Sequence, residues 1–245
     1  MRQSNTYIIV FAAGLTIVLG GILSAAAVYL KPLQQREIAL DTKKQILSAV
    51  IDTDEYEKSA LGEMYNQRIK SIVVDSNGDE VTLDSTSKVK TPEDVNIKKE
   101  YKKDPSERLY PVFMYMSESG DKVEAYILPL YGFGLWDDIW GFAALEPDFN
   151  TLKGIVFDHK GETPGLGARI TDAEVRNRYQ GKELKDASGK LVSVTMVKGE
   201  NNSNLNEHQV DGMSGATITG NGVNKMLGNY IGYYDAYFKN VKSSM

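Results

Sequence analysis

From Tyr7 to Leu30 the chain carries no charged residue, and that run limits the possible fold more than any other feature. About 20 apolar residues suffice to cross the hydrocarbon core of a bilayer as a helix. Tyr7 and Tyr29 stand where interfacial aromatics sit, and Arg2 and Lys31 bracket the segment. Residues 1–30 therefore read as an N-terminal segment with a single transmembrane helix. Two alternatives compete. A cleaved signal peptide has an apolar stretch of about 7–15 residues ahead of small ones; Ala25-Ala26-Ala27 mimics a cleavage site, but the stretch is too long. A buried core helix is the other. Between Ile8 and Val28 no ionisable residue marks an ion pathway. Lys31, Arg36, Lys43 and Lys44 follow the span while Arg2 precedes it, so basic residues alone would place the following domain inside the cytoplasm.

That domain has enough chain for a real core: 245 residues in all, 42% apolar and 25% charged. The net charge of -5 and the lack of a basic stripe exclude a nucleic-acid surface. Cysteine is absent, which removes disulfides, thiolate zinc sites and cysteine-ligated iron-sulfur clusters within this chain. His159 and His208 are the only histidines, too few for a histidine metal site. Redox chemistry here would need an organic cofactor.

After the span, residues 31–60 read as a helical stalk packed on the domain, with Leu33, Ile38, Ile46, Leu47 and Val50 as inward residues. "KSIVVDSNGDEVTL" predicts a hairpin about Asn77-Gly78, because both residues tolerate positive φ. Thr86 to Leu109 is charged, broken by Pro92 and Pro105, and reads as a surface excursion facing water. "YPVFMYM" and "VEAYILPLYGFGLW" form a second hairpin, "WGFAALEPD" and "LKGIVFDHKGE" continue it, and "LVSVTMVKG" adds a strand. Val223, Met226, Leu227, Tyr230, Ile231, Tyr234 and Phe238 recur at helical spacing and define one long terminal helix. Residues 61–245 thus predict an α+β domain.

Two glycine-rich loops carry the candidate chemistry. "GETPGLGARI", residues 161–170, is preorganised by Pro164-Gly165, and its glycines let backbone amides approach a ligand; a plain turn would look the same. It lacks the spacing of a dinucleotide-binding fingerprint. "DGMSGATITGNG", residues 211–222, opens the terminal helix, where free amides and the helix dipole favour a phosphate. Its hydroxyls, Ser214, Thr217 and Thr219, exceed the single residue a cap needs. No hydrolase elbow or metal-binding histidine pair appears.

The stretch Asp211 to Thr217 resembles the Asp-x-x-Ser/Thr-Gly-Ala-Thr flavinylation motif of FMN-binding domains. With "ETPGLG" at Glu162 to Gly167, "GLWDDIWGF" at Gly134 to Phe142 and one N-terminal span, the chain is similar to the C-subunit family of the sodium-translocating NADH:quinone oxidoreductase. A relative, the G-subunit family of the Rnf-type electron-transport complex, is the second reading; an anchored binding domain using "SGAT" as an ordinary helix start is the third. The resemblance implies a mostly antiparallel sheet with flanking helices, and one covalent FMN per chain, joined by a flavin transferase through its phosphate to Thr217. Asp211, Ser214, Gly215 and Ala216 would position the threonine or cradle the phosphate. Thr163, Gly165, Leu166 and Gly167 would line the ring. Trp136 would be a neighbour of the site or a core aromatic packed on the sheet. The family further implies other membrane subunits as partners, NAD and ubiquinone as redox couples of the complex, and a flavin domain on the periplasmic side of a bacterial inner membrane.

Overall fold

The computed structural model describes residues 4–83 and 89–244. Arg2 and the Thr86–Lys88 start of the charged excursion lie outside the described residues. The chain divides into two compact units, residues 1–42 and 43–245.

The first unit is helical. Helix α1 spans Asn5–Ser48 and runs on through Pro32. An 18-residue window within it reaches a mean hydropathy of 2.4, long and apolar enough to cross a membrane, and none of that window is buried. It is therefore not a core helix. Leu33 and Ile38, expected to face inward, are exposed.

The second unit is built on a five-stranded antiparallel meander, β1 (Ile69–Val74), β2 (Tyr110–Met116), β3 (Val123–Phe133), β4 (Asp138–Leu145) and β5 (Leu152–His159), in sequence order. β3 is buried along nearly its whole length because both faces of the sheet are covered. Side chains alternate across a strand. Tyr126, Leu128 and Leu130 share a core with the helix that follows the sheet, while Ala125 and Ile127 pack with Ile46, Leu47, Leu61 and Tyr65 on the other face. Ile46 and Leu47 come from the end of α1, and Leu61 and Tyr65 from α2 (Lys58–Arg68). Pro129, which cannot donate to a ladder, sits beyond Ile127, where the β2 pairing ends.

Several expectations are corrected. The Asn77-Gly78 turn forms, with Gly78 at φ +80, but its second arm makes only a single bridge, Val74 to Glu80. β1 instead pairs along its length with β2, which offers a continuous apolar ladder. The charged excursion is not wholly solvated: α3 (Ile97–Tyr101) buries Glu100, and Arg108 is buried as well. Glu100 pairs with Lys103 at 2.7 Å and accepts the Leu109 N–H. Arg108 donates to the carbonyls of Lys103 and Tyr101 and lies over the rings of Tyr101 and Tyr233. The segment after Gly189 yields only β6 (Thr195–Met196), paired in parallel with β7 (Gln209–Val210). The terminal helix is two helices, α5 (Thr217–Tyr233) and α6 (Asp235–Ser244), meeting at Tyr234, whose buried hydroxyl donates to the Pro111 carbonyl at 2.8 Å. All seven residues expected on its inner face are buried.

Candidate cofactor site

Three segments distant in sequence meet at the mouth of α5 around a cleft of about 270 Å³. The β3–β4 hairpin contributes Leu135, and the loop after β5 contributes Glu162, Thr163, Leu166 and Gly167. Residues Gly215 through Thr219 close it from below. A short α4 (Ala173–Asn177) follows the loop.

The helix mouth is open. Ala216 occupies the cap position and no side chain caps the helix, so its first amides keep their capacity for an anion. The surplus hydroxyls do other things. Ser214 is exposed, Thr217 is half-buried on the cleft wall, and Thr219 is buried and donates to Glu162 Oε2 at 2.5 Å. Gly215 adopts φ +73, and a Cβ there would come within 2.8 Å of Leu166 Cδ2. Glycine is thus favoured by the left-handed backbone, while the Leu166 side chain could shift to admit a Cβ.

Arginines hold this loop in place. Arg178 Nη1 donates to the carbonyls of Asp211 and Gly212, at 3.2 and 2.6 Å. Arg169 makes two bonds to the Glu200 carboxylate, at 3.1 and 2.6 Å, and Glu200 accepts the Ser214 N–H at 3.3 Å. Arg169 beside it holds the Glu200 carboxyl down to about 2. Asp211 does not line the cleft; its carboxylate accepts the backbone N–H groups of Asn201 and Asn202.

Glu162 ties the three segments together. It is 4% exposed, accepts the Thr219 hydroxyl on one oxygen, and takes the Trp136 N–H on the other at 2.9 Å. Burial works to raise its pKa, but the hydrogen bonds from Thr219 and from the backbone of Trp136, Leu135 and Asp137 outweigh burial and hold it below the usual carboxylate range.

Of the residues singled out in the sequence, Thr163, Leu166, Gly167, Gly215, Ala216 and Thr217 line this one cleft, while Asp211, Ser214 and Gly165 do not. Gly165 forms the turn, at φ +74 with open space around it. Trp136 is 69% exposed, so the core alternative is wrong; its indole Nε1 donates to Thr163 Oγ1 at 3.2 Å. Sequence reasoning missed Leu135, Ile218 and Glu162 as cleft residues, and named Thr219 only as a surplus hydroxyl. Glu162 lay inside the quoted "ETPGLG" stretch, and only its burial marks it.

The lining fits a flavin mononucleotide. Leu135, Leu166 and Ile218 line the cleft as exposed apolar side chains, and the exposed Trp136 bonds to Thr163 beside them; from Lys43 onward, the other exposed large apolar side chains among the described residues are Tyr56, Phe133 and Val192. An apolar rim beside an uncapped helix start matches a flat ring bearing a phosphate. The cleft lies below the about 300–1,000 Å³ of enclosing ligand pockets, which suits a shallow seat.

Comparison with known proteins decides the family. A family model described as an FMN-binding domain matches residues 134–232. The C subunit of the Na(+)-translocating NADH-quinone reductase of Neisseria meningitidis is 32% identical, aligned over 98% of this chain and 95% of the relative. This chain belongs to that C-subunit family. The Pseudomonas aeruginosa counterpart is also 32% identical, over 98% of this chain and 97% of its own length. Two solved structures share the fold. The counterpart from Parabacteroides distasonis has a TM-score of 0.72 at 34% identity, covering 85% of this chain and 96% of that one. NqrC of Shewanella oneidensis has a TM-score of 0.72 at 29% identity, covering 85% and 99%. The domain's cofactor is FMN, and the chain is an FMN-carrying electron-transfer subunit. The third reading, in which "SGAT" merely caps a helix, conflicts with the absence of any capping side chain at Ala216.

Proposed function

We propose that the chain is a membrane-anchored electron relay whose FMN is esterified through its phosphate to Thr217 Oγ1, working inside a sodium-translocating NADH:quinone oxidoreductase. One observation carries this reading: a half-buried threonine hydroxyl sits at an uncapped helix start, on the wall of a cleft rimmed by exposed apolar side chains. When bound, FMN supplies reversible electron acceptance and donation. The chain's own residues do the rest. The first amides of α5 receive the phosphate, Leu135, Leu166 and Ile218 cover an apolar ring, and the Trp136–Thr163 pair bounds the opening.

Thr219 is the competing attachment residue on sequence grounds. Its hydroxyl is committed to Glu162 and the residue is 1% exposed, which supports Thr217. A covalent bond has a physical purpose in so small a seat, since it removes cofactor dissociation and allows the ring to remain exposed for electron exchange.

The partners follow from this reading: a flavin transferase during maturation, other membrane subunits of the complex, and the bacterial inner membrane through α1. We place the flavin domain on the periplasmic side, following the C-subunit family; packing among the subunits of the complex overrides the opposing signal of Lys31, Arg36, Lys43 and Lys44.

Co-expression with a flavin transferase followed by denaturing electrophoresis tests the attachment. Flavin fluorescence should migrate with the wild-type chain and with Thr219→Ala, and disappear from Thr217→Ala. Fluorescence persisting in Thr217→Ala would overturn the assignment.

A further inference from the structure

Three carboxylates set back from the cleft wall each have a cation. Asp137 pairs with Lys160 at 2.7 Å, Asp138 with Lys98, and Glu200 with Arg169 at 2.6 Å. Glu162, the carboxylate that lines the cleft, does not: among the described residues no lysine or arginine pairs with it. Its partners are neutral, the Thr219 hydroxyl and the backbone of the Leu135–Asp137 hairpin. His159 Nδ1 lies nearby but accepts the Glu162 backbone N–H rather than reaching the carboxylate. An uncompensated, nearly fully buried charge therefore lines the wall of the FMN seat. The fold also keeps it there. A Cβ at Gly134 or Gly167 would run into the Glu162 carboxylate oxygens, so both flanking segments are closed around it.

We infer that the Glu162 carboxylate sets the reduction potential of the flavin, holding it low by opposing the electron density that reduction adds to the ring. The inference rests on the flavin seat described above. Charge in a water-poor wall is felt over several ångströms, and dipoles stabilise the carboxylate without cancelling its field. Glu162 is thus a potential-setting residue as well as a structural tie. Scaffold and charge can be separated by substitution. In Glu162→Gln the amide oxygen can still accept the Trp136 N–H, and the amide nitrogen can donate to Thr219 Oγ1, so the tie survives while the charge goes. In Thr219→Val the charge stays while a tie is cut.

The experiment is redox titration, followed by visible absorption, of full-length chains loaded by a flavin transferase. The flavin-bearing Glu162→Gln chain should show a higher midpoint potential than the flavin-bearing wild type. The ratio of reduced to oxidised flavin at a fixed potential should rise about tenfold, the size expected of a unit charge acting across about 10 Å at an effective dielectric of about 20. Thr219→Val should show no such rise. An unmoved potential in Glu162→Gln, equal upward shifts in both variants, or loss of flavin from either variant overturns the inference. Attachment is judged separately by the fluorescence of Thr217→Ala, so failure here leaves that assignment standing.

Discussion

Two glycines on α5 should respond in opposite directions to the same substitution. Gly222 faces the turn leaving β3, where an added Cβ would fall inside contact distance of the Phe133 carbonyl oxygen and 3.2 Å from Gly134 Cα. Both neighbours are backbone, so the helix or the hairpin must move. Alanine gains about 1 kcal/mol over glycine within a helix, but overpacking costs about 1–3 kcal/mol, and Gly222→Ala should lose up to about 2 kcal/mol net. Gly228 has no such constraint: its Cβ would meet Ser193 Cβ and Oγ at 3.7 Å, an ordinary contact. Gly228→Ala should gain about 0.5–1 kcal/mol. Thermal unfolding of the flavin-free chain in detergent, followed by near-ultraviolet circular dichroism of its aromatic residues, reads both. A domain of this size moves about 2–4 °C per kcal/mol, so Gly228→Ala should rise by a few degrees and Gly222→Ala should fall. Displacing the hairpin also moves Leu135, so Gly222→Ala should take up less flavin. Equal rises in melting temperature would refute the close approach of α5 to the hairpin on which the cleft depends.

Arg178→Ala removes the donor to the Asp211 and Gly212 carbonyls. It should cost about 2 kcal/mol, as charged hydrogen bonds do, and lower the flavin-to-protein absorbance ratio after maturation. Glu200→Gln carries a pH signature. The folded carboxyl is held at about 2, chiefly by Arg169, below an unfolded value of about 4.3. A depressed pKa contributes stability above the unfolded value and loses it as pH falls toward the folded one. The wild-type advantage over Glu200→Gln should therefore be full above about pH 5 and fade toward about pH 2, measured by denaturant titration across that range.

The sheet was legible because its strands announce themselves: "YPVFMYM", "VEAYILPLYGF" and "LKGIVFDH" are aromatic and β-branched runs bounded by turn residues. Pairing was harder to read. The Asn77-Gly78 turn pointed to a local partner for β1, yet the following residues, with Asp79 and Glu80 among few apolar ones, could not compete with β2. Charge misled in the same way at Glu100 and Arg108, which are buried because their hydrogen-bond partners lie within the excursion itself, Arg108 resting also on the Tyr233 ring. The break between α5 and α6 carries no proline; it falls at Tyr234, whose hydroxyl makes a tertiary bond to β2.

The cleft shows the same limit. Resemblance pointed to all three of its segments, the loop after β5, the start of α5 and, through Trp136, the β3–β4 hairpin, but not to every residue in them. Leu135 and Ile218 look like ordinary apolar residues until folding leaves them exposed together. Glu162 and Thr219 are 57 positions apart, and nothing local in the chain signals that they share a hydrogen bond.

Mass spectrometric peptide mapping of natively matured protein tests the central claim most directly. The peptide containing Asp211 to Thr217 should carry the mass of FMN less one water, with fragmentation placing it on Thr217. An unmodified Thr217 peptide, or a flavin found on a peptide away from the start of α5, would contradict the account.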